Sequence, residues 1–159
     1  MLRTSPTETS LVIIMIEDDE GHARLIEKNI RRAGITNKIV AFRFGAEAIA
    51  WLTSGALDNV SGLMLLDLNL PDMSGLEILA RVKEHPHLRR LPVIVLTTTD
   101  DQAEMDRCYD LGCNVYVTKP LEYEAFALAI RKLGIFFDVI AVSSIEGEAS
   151  GDRPGQGDA

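Results

Sequence analysis

Three things are scarce in this chain, and each scarcity excludes a class of function. Clustered basic charge is the first: 16 Lys and Arg stand against 24 Asp and Glu, for a formal net charge of −8. Arg31-Arg32 and Arg89-Arg90 are isolated doublets, read as solvated. A nucleic-acid surface neutralises phosphates with patches of Lys and Arg, so nucleic acid is not an expected partner. Long apolar runs are the second. No stretch reaches the roughly 18 residues that span a bilayer, and Met1 to Ser10 is a polar lead without the apolar segment of a secretory signal. No membrane association is expected, and the expected location is the cytoplasm. Cysteine is the third, with two residues, Cys108 and Cys113. A separation of five suits neither a zinc knuckle nor a redox pair, so both read as reduced, buried, structural thiols.

What is present is enough apolar residue, 47% of 159, to build one domain with a sizeable core. Short apolar runs alternate with amphipathic stretches, the pattern of strands joined by crossover helices around a parallel sheet. Strands are predicted at 11–16, 38–42, 63–67, 92–97 and 115–118, and helices at 20–33, 45–54, 74–85, 101–111 and 121–133. Ser74 and Asp100 are the expected caps of the third and fourth helices, and Gly34 and Gly112 the expected stops of the first and fourth. The fold class is therefore α/β, a flavodoxin-like (βα)5 doubly wound parallel sheet in the order 2-1-3-4-5. Residues 1–10 form a lead, 11–133 the domain and 134–147 an apolar extension. Residues 148–159 have the Gly, Ser, Pro and Asp composition of a disordered tail. No internal repeat is visible.

An open parallel sheet carries its chemistry at the carboxyl ends of its strands, and in this order strands 1 and 3 are neighbours at the switch point. Strand 1 runs into Glu17-Asp18-Asp19. Strand 3 runs into Asp67, within Leu65-Leu-Asp-Leu-Asn-Leu-Pro-Asp72-Met-Ser-Gly75. Strand 4 delivers Thr97-Thr98-Thr99, and strand 5 delivers Lys119-Pro120. Three carboxylates, an ammonium and a hydroxyl converging on one edge read as a metal-assisted phosphoryl acceptor. The acidic pair has two registers: Glu17-Asp18 is favoured because the strand ends at Ile16, and Asp18-Asp19 is the alternative. Helix capping is the competing role for these acids, and Asp19 is well placed for it.

Over about Leu11 to Leu133 these residues resemble the receiver domain of two-component response regulators. The resemblance rests on Glu17-Asp18, Asp67 in its Asp-Leu-Asn-Leu-Pro-Asp-Met-Ser-Gly context, Thr97, Tyr116 and Lys119-Pro120, in order and at family-like spacing. It implies that Asp67 is the phosphoacceptor, taking a phosphoryl group from a phosphohistidine on a sensor histidine kinase. It implies Mg²⁺ as cofactor, held by the Asp18 and Asp67 carboxylates and the Asn69 carbonyl, with Glu17 acting through water. Lys119, the Thr97 hydroxyl and the Thr98 amide would bind phosphoryl oxygens. Thr97 and Tyr116 would form the switch pair, with Tyr116 turning inward as the Thr97 hydroxyl moves to the phosphoryl group. Pro120 would follow a cis peptide that turns Lys119 toward Asp67. A half-buried strand tyrosine is the plainer reading of Tyr116, and strand-exit punctuation that of Pro120.

Asn69 separates this reading from haloacid-dehalogenase-type phosphatases, which place a general acid/base Asp two residues after the nucleophile. An amide cannot exchange a proton in that role. The chain thus reads as a phosphoacceptor signalling protein and not an enzyme. A small Mg²⁺-dependent phosphatase and a constitutive dimeric scaffold or phosphate sink are the alternatives. His85-Pro86-His87 reads as a solvated loop, and His22 falls early in the first helix.

The extension Gly134-Ile-Phe-Phe-Asp-Val-Ile-Ala-Val142 is too apolar for a free tail. It is expected to bury Phe136, Phe137 and Ile140 against a second copy of the chain, packing in cis being the alternative. The extension, with the Ile-Glu-Asp-Asp-Glu-Gly-His and Leu-Thr-Thr-Thr-Asp-Asp-Gln runs, resembles single-domain response regulators paired with bacterial phytochromes. That resemblance implies a light-sensing histidine kinase as phosphoryl donor, a homodimer, and signalling by protein–protein interaction.

Overall fold

A computed structural model of the protein describes residues 11–119 and 122–132. The expected lead at 1–10, Pro120, the extension at 134–147 with Phe136, Phe137 and Ile140, and the tail at 148–159 lie outside the described residues. The elements run β1 (Val12–Ile16), α1 (Glu20–Arg32), β2 (Lys38–Phe42), α2 (Gly45–Leu52), β3 (Gly62–Asp67), α3 (Gly75–Glu84), β4 (Val93–Thr97), α4 (Gln102–Leu111), β5 (Val115–Thr118) and α5 (Tyr123–Lys132). The five strands form one sheet in the order β2-β1-β3-β4-β5, with every pairing parallel. This is the doubly wound arrangement expected from the sequence.

Strand composition follows position in the sheet. β3 and β4 are buried at every residue and are apolar up to Asp67 and Thr97, because helices cover both of their faces. The edge strand β2 is partly exposed along its whole length and carries Lys38. Alternate residues feed two cores. Ile13, Met15, Leu63, Leu65, Ile94 and Leu96 meet Ile26 and Ile30 of α1 and Phe126 of α5. Ile14, Ile16, Met64, Leu66, Val93 and Val95 meet residues of α2, α3 and α4. The cationic face of Arg32 lies 4.1 Å from the ring centre of Tyr123, a cation–π contact that joins α1 to α5.

Helix ends account for the two cysteines. Gly34 and Gly112 both take positive φ, 87° and 113°, as the residue after a helix does when it turns left-handed. After α1, Gly34 N–H donates to the Arg31 carbonyl and Ile35 N–H to the Ile30 carbonyl. After α4, Gly112 N–H donates to Tyr109 and Cys113 N–H to Cys108. Each is a Schellman motif, whose apolar contact joins residues five apart. Cys108 and Cys113 therefore occupy the places that Ile30 and Ile35 hold at the other helix, and all four are buried. Burial pushes the Cys108 thiol up to about 11 and the Cys113 thiol up to about 12. Both are poor nucleophiles at neutral pH.

The Ser74 hydroxyl caps α3 as expected, accepting from Leu76 N–H at 3.0 Å. At α4 the cap is Asp101, not Asp100: the Asp101 carboxylate accepts from Glu104 N–H at 3.2 Å. The loop gives the extended backbone required of a cap to the later residue, and the Thr99 hydroxyl accepts the Asp101 N–H.

Gly112→Ala is expected to lower stability by about 1–2 kcal/mol, because a β-carbon is strained at positive φ and would lie 3.1 Å from Lys83 Cγ. Urea denaturation should show a lower midpoint with an unchanged slope. An unchanged midpoint would contradict this.

Candidate functional site

Strand register sets where the polar side chains emerge. Ile16 pairs with Leu66, so the residues that follow, Glu17 and Asp67, leave β1 and β3 side by side. Thr97 pairs with Thr118, so Lys119 emerges beyond the end of β4, and its N–H donates to the Thr97 carbonyl at 2.7 Å. Behind Asp67 the chain turns sharply. Gly75 N–H donates to the Leu68 carbonyl at 2.9 Å. A β-carbon on Gly75 would sit 2.5 Å from the Asp67 carbonyl and 2.6 Å from Leu68 Cα. Only glycine lets α3 begin this close to the strand that carries Asp67.

Carboxylate oxygens of Glu17, Asp18 and Asp67 all lie within 4.8 Å of one another. Lys119 reaches across them, with Nζ 2.5 Å from Glu17 Oε1 and 3.5 Å from Asp67 Oδ2. The side chains of Lys119, Glu17 and Asp67 are at most 5% exposed. Burial raises the Glu17 pKa, and the Asp67 charge adds to the rise; the Lys119 and Asp19 N–H hydrogen bonds oppose it. The second oxygen of Glu17 accepts the Asp19 N–H at 3.1 Å. Asp67 divides its oxygens likewise, Oδ1 accepting the Asn69 N–H at 3.2 Å while Oδ2 faces the ammonium. Asp19 stays out of the cluster. Its carboxylate caps α1 by accepting the His22 N–H at 2.9 Å, which lowers its pKa. Of the two registers, the cluster contains Glu17 and Asp18.

Thr97 is fully buried at the end of β4, and its hydroxyl is approached by Asn69 Nδ2 at 3.5 Å and Thr99 N–H at 3.4 Å. Thr98 is exposed. Val95 pairs with Tyr116, so Tyr116 and Thr97 share one sheet face, two residues apart along the strands. The Tyr116 hydroxyl donates to the Thr99 carbonyl at 2.9 Å, and the Tyr109 hydroxyl accepts the Tyr116 N–H at 3.1 Å. Burial pushes the Tyr116 phenol up to about 12. The structure therefore holds Tyr116 against the Thr97–Thr99 segment.

Two residues of this region were not assigned from sequence. His22 Nδ1 lies 3.2 Å from Lys119 Nζ, although nothing in the spacing of α1 shows that its first turn overhangs β5. Asp72 accepts Gly45 N–H at 2.8 Å and Ala46 N–H at 2.9 Å. It thereby caps α2 from the β3–α3 loop, and these bonds hold its pKa below the usual carboxylate value. A signal existed for Asp72: the residue before α2 is Phe44, which makes no side-chain cap, so an acceptor from elsewhere was needed.

The chain matches the response regulator receiver domain family over residues 13–131. It is a member of that family. It is 38% identical over 111 residues to the response regulator Rcp1 of Synechocystis, covering 68% of this chain and 76% of Rcp1. A solved receiver domain from Rhodospirillum rubrum is 60% identical, with TM-score 0.69, covering 81% of this chain and 94% of that one. The phosphorylated cyanobacterial phytochrome response regulator RcpA is 34% identical, with TM-score 0.63, covering 80% and 92%. Rcp1 has also been solved in an Mn²⁺-bound form, 34% identical, with TM-score 0.63, covering 74% and 88%. Receiver domains bind Mg²⁺ or Mn²⁺ at an acidic site. The cluster in this receiver domain fits such an ion: its donors are hard oxygens, and three carboxylates beside one ammonium leave two negative charges for a divalent cation to balance. Among the described residues no helix is long and apolar enough to cross a membrane.

Gly75→Ala is expected to destabilise the protein by about 3 kcal/mol, the upper part of the usual overpacking range, and to weaken divalent-cation binding, because the clash falls on Asp67 and Leu68. Thermal melting and Mn²⁺ titration read the two effects; wild-type behaviour in both would contradict the placement. Asp72→Ala is expected to lower stability at neutral pH. A depressed native pKa stabilises above the unfolded value and is lost as pH falls through the native one, so the gap from wild type should close below about pH 4. A gap constant from pH 7 to pH 3 would exclude the carboxylate clasp.

Proposed function

We propose that the protein is a single-domain response regulator that accepts a phosphoryl group on Asp67 from a phosphohistidine of a sensor histidine kinase. The observation that carries this reading is a buried Asp67 with one oxygen fixed by its own loop, the other turned to a buried ammonium, and two further carboxylates within 4.8 Å. In the transfer an Asp67 oxygen attacks phosphorus, the phosphorus–nitrogen bond breaks, and the electron pair returns to the donor imidazole. Little covalent work falls to the protein, so the rate comes from positioning and charge stabilisation. Mg²⁺, when bound, balances charge on the phosphoryl oxygens.

The residues have separate parts in this reading. Asp18, Asp67 and the Asn69 carbonyl would hold the cation directly, and Glu17 would hold it through water. Lys119 pairs with a phosphoryl oxygen, while the Thr97 hydroxyl and Thr98 amide bind others. As the Thr97 hydroxyl moves to the phosphoryl group it leaves Asn69 and Thr99, and Tyr116, bonded to Thr99, responds. Two states of this Thr97–Tyr116 pair with different affinity for the phosphoryl group make a switch. The Asn69 amide neither releases nor takes up a proton near neutral pH and so cannot act as general acid or base, which favours a persistent phosphoprotein over a Mg²⁺-dependent phosphatase.

Similarity to RcpA, described as a phytochrome response regulator, supports a bacterial phytochrome as the kinase. The chain signals by protein–protein contact from the cytoplasm. Phe136, Phe137 and Ile140 of the extension join two copies as a homodimer, each worth about 1.5–3 kcal/mol when buried.

Incubation with Mg²⁺ and acetyl phosphate should add one phosphoryl group per chain, and none to Asp67→Asn. Millimolar Mg²⁺ should raise the melting temperature of wild type over that in chelator, as any ligand of the native state does. Labelling of Asp67→Asn, or steady turnover of phosphate monoesters, would overturn the reading. Sedimentation at tens of micromolar should give a dimer; a monomer would refute the proposed role of the extension.

A further inference from the structure

The Lys119 ammonium has three protons and no lone pair, so every polar atom it approaches must accept. Among the described residues, two of its three polar neighbours, Glu17 Oε1 at 2.5 Å and Asp67 Oδ2 at 3.5 Å, belong to the acidic cluster. The third does not. His22 Nδ1, at 3.2 Å, accepts from the ammonium in the tautomer that carries its proton on Nε2, and it lies 3.9 Å from Glu17 Oε2 and from Asp19 Oδ1. The ring belongs to the first turn of α1, an element that carries none of the acidic cluster.

An ammonium held by one acceptor still pivots about that contact as the torsions of the lysine side chain change, so its other protons point at no fixed place. A second anchor removes that rotation. With Glu17 and His22 each holding one proton, the third is directed toward Asp67, where the phosphoryl oxygen arrives. We propose that His22 is a positioning residue that fixes the direction of the Lys119 ammonium, so that the cation meets the phosphoryl group already oriented. The proposal deepens the phosphoacceptor reading and rests on it. It uses the geometry of one hydrogen bond, and charge-assisted bonds are the stronger kind.

His22 suits a substitution test. Its side chain is 40% exposed, and its contribution to the α1 cap is its backbone N–H, which every variant retains. In His22→Ala, affinity for beryllium fluoride in saturating Mg²⁺ should fall about tenfold, the worth of one hydrogen bond to a charged group. The rate of labelling by acetyl phosphate should fall in parallel. Mg²⁺ affinity without beryllium fluoride, and the melting temperature, should match wild type, which a general loss of structure would not allow. His22→Asn can present an amide oxygen near the place of Nδ1 and should recover most of the loss. In a Lys119→Ala background, His22→Ala should add nothing, since the imidazole acts through the ammonium.

Order parameters of the Lys119 side chain, measured by ¹⁵N relaxation on metal-free protein, separate this inference from the function on which it rests. They should be high in wild type and fall in His22→Ala. Unlabelled wild-type Asp67 alongside this ordered lysine would overturn the phosphoacceptor reading and leave the anchoring intact. Equal order parameters in wild type and His22→Ala, or a full His22→Ala effect in the Lys119→Ala background, would overturn the positioning role.

Discussion

The site depends on one buried ammonium facing more negative charge than it can neutralise. Glu17 and Asp67 are nearly sealed from water, and like charges about 4 Å apart repel by roughly 4 kcal/mol even at an effective dielectric of 20. Lys119 offsets part of this by touching Glu17 and approaching Asp67. The pKa of Glu17 is raised, first by burial and further by the Asp67 charge, against the lysine and the Asp19 amide, while three carboxylates stand beside one ammonium. Such an excess of negative charge fits a divalent cation, and in the proposed reading a cation bound there meets the phosphoryl group.

The parallel sheet is the means of holding such a site together. Each charged group follows directly on an apolar strand, so the cost of gathering charges is met by burial of the strands behind them. β1 and β3 are neighbours although α1, β2 and α2 separate them in sequence, and their pairing brings Glu17 beside Asp67. The glycine at 75 then lets α3 close over the base of Asp67. Asp72, from the same loop, fastens it to α2. The loop that carries Asn69 is thus held at both ends, and the proposed phosphoacceptor role needs that rigidity more than it needs reactive chemistry.

Where periodicity or local chemistry carried the information, it was legible in the sequence. The five apolar runs, the strand order, the Ser74 cap and the glycine stops after α1 and α4 all follow from short-range rules. The convergence of Glu17, Asp18, Asp67, Thr97 and Lys119 followed from the topology alone, because strand ends in a doubly wound sheet must meet. What escaped was contact between segments with no common period. His22 sits in an ordinary amphipathic helix, and only the packing of α1 beside the end of β5 brings its ring to Lys119. Asp72 caps a helix that begins 27 residues before it. Asp101 displaced Asp100 as a cap because one residue of loop geometry decides which carboxylate reaches the amide. The cysteine spacing was readable as structural, but its reason, a Schellman contact repeated at Ile30 and Ile35, needed the backbone.

Anomalous diffraction from crystals grown with Mn²⁺ tests the central claim most directly, since it locates the cation without reference to phosphorylation. The account predicts one strong peak per chain, ligated by carboxylate oxygens of Asp18 and Asp67, with Glu17 behind a water and Lys119 opposite. A peak elsewhere on the molecule, or an Mn²⁺-soaked structure in which these carboxylates stand apart with no metal between them, would contradict it.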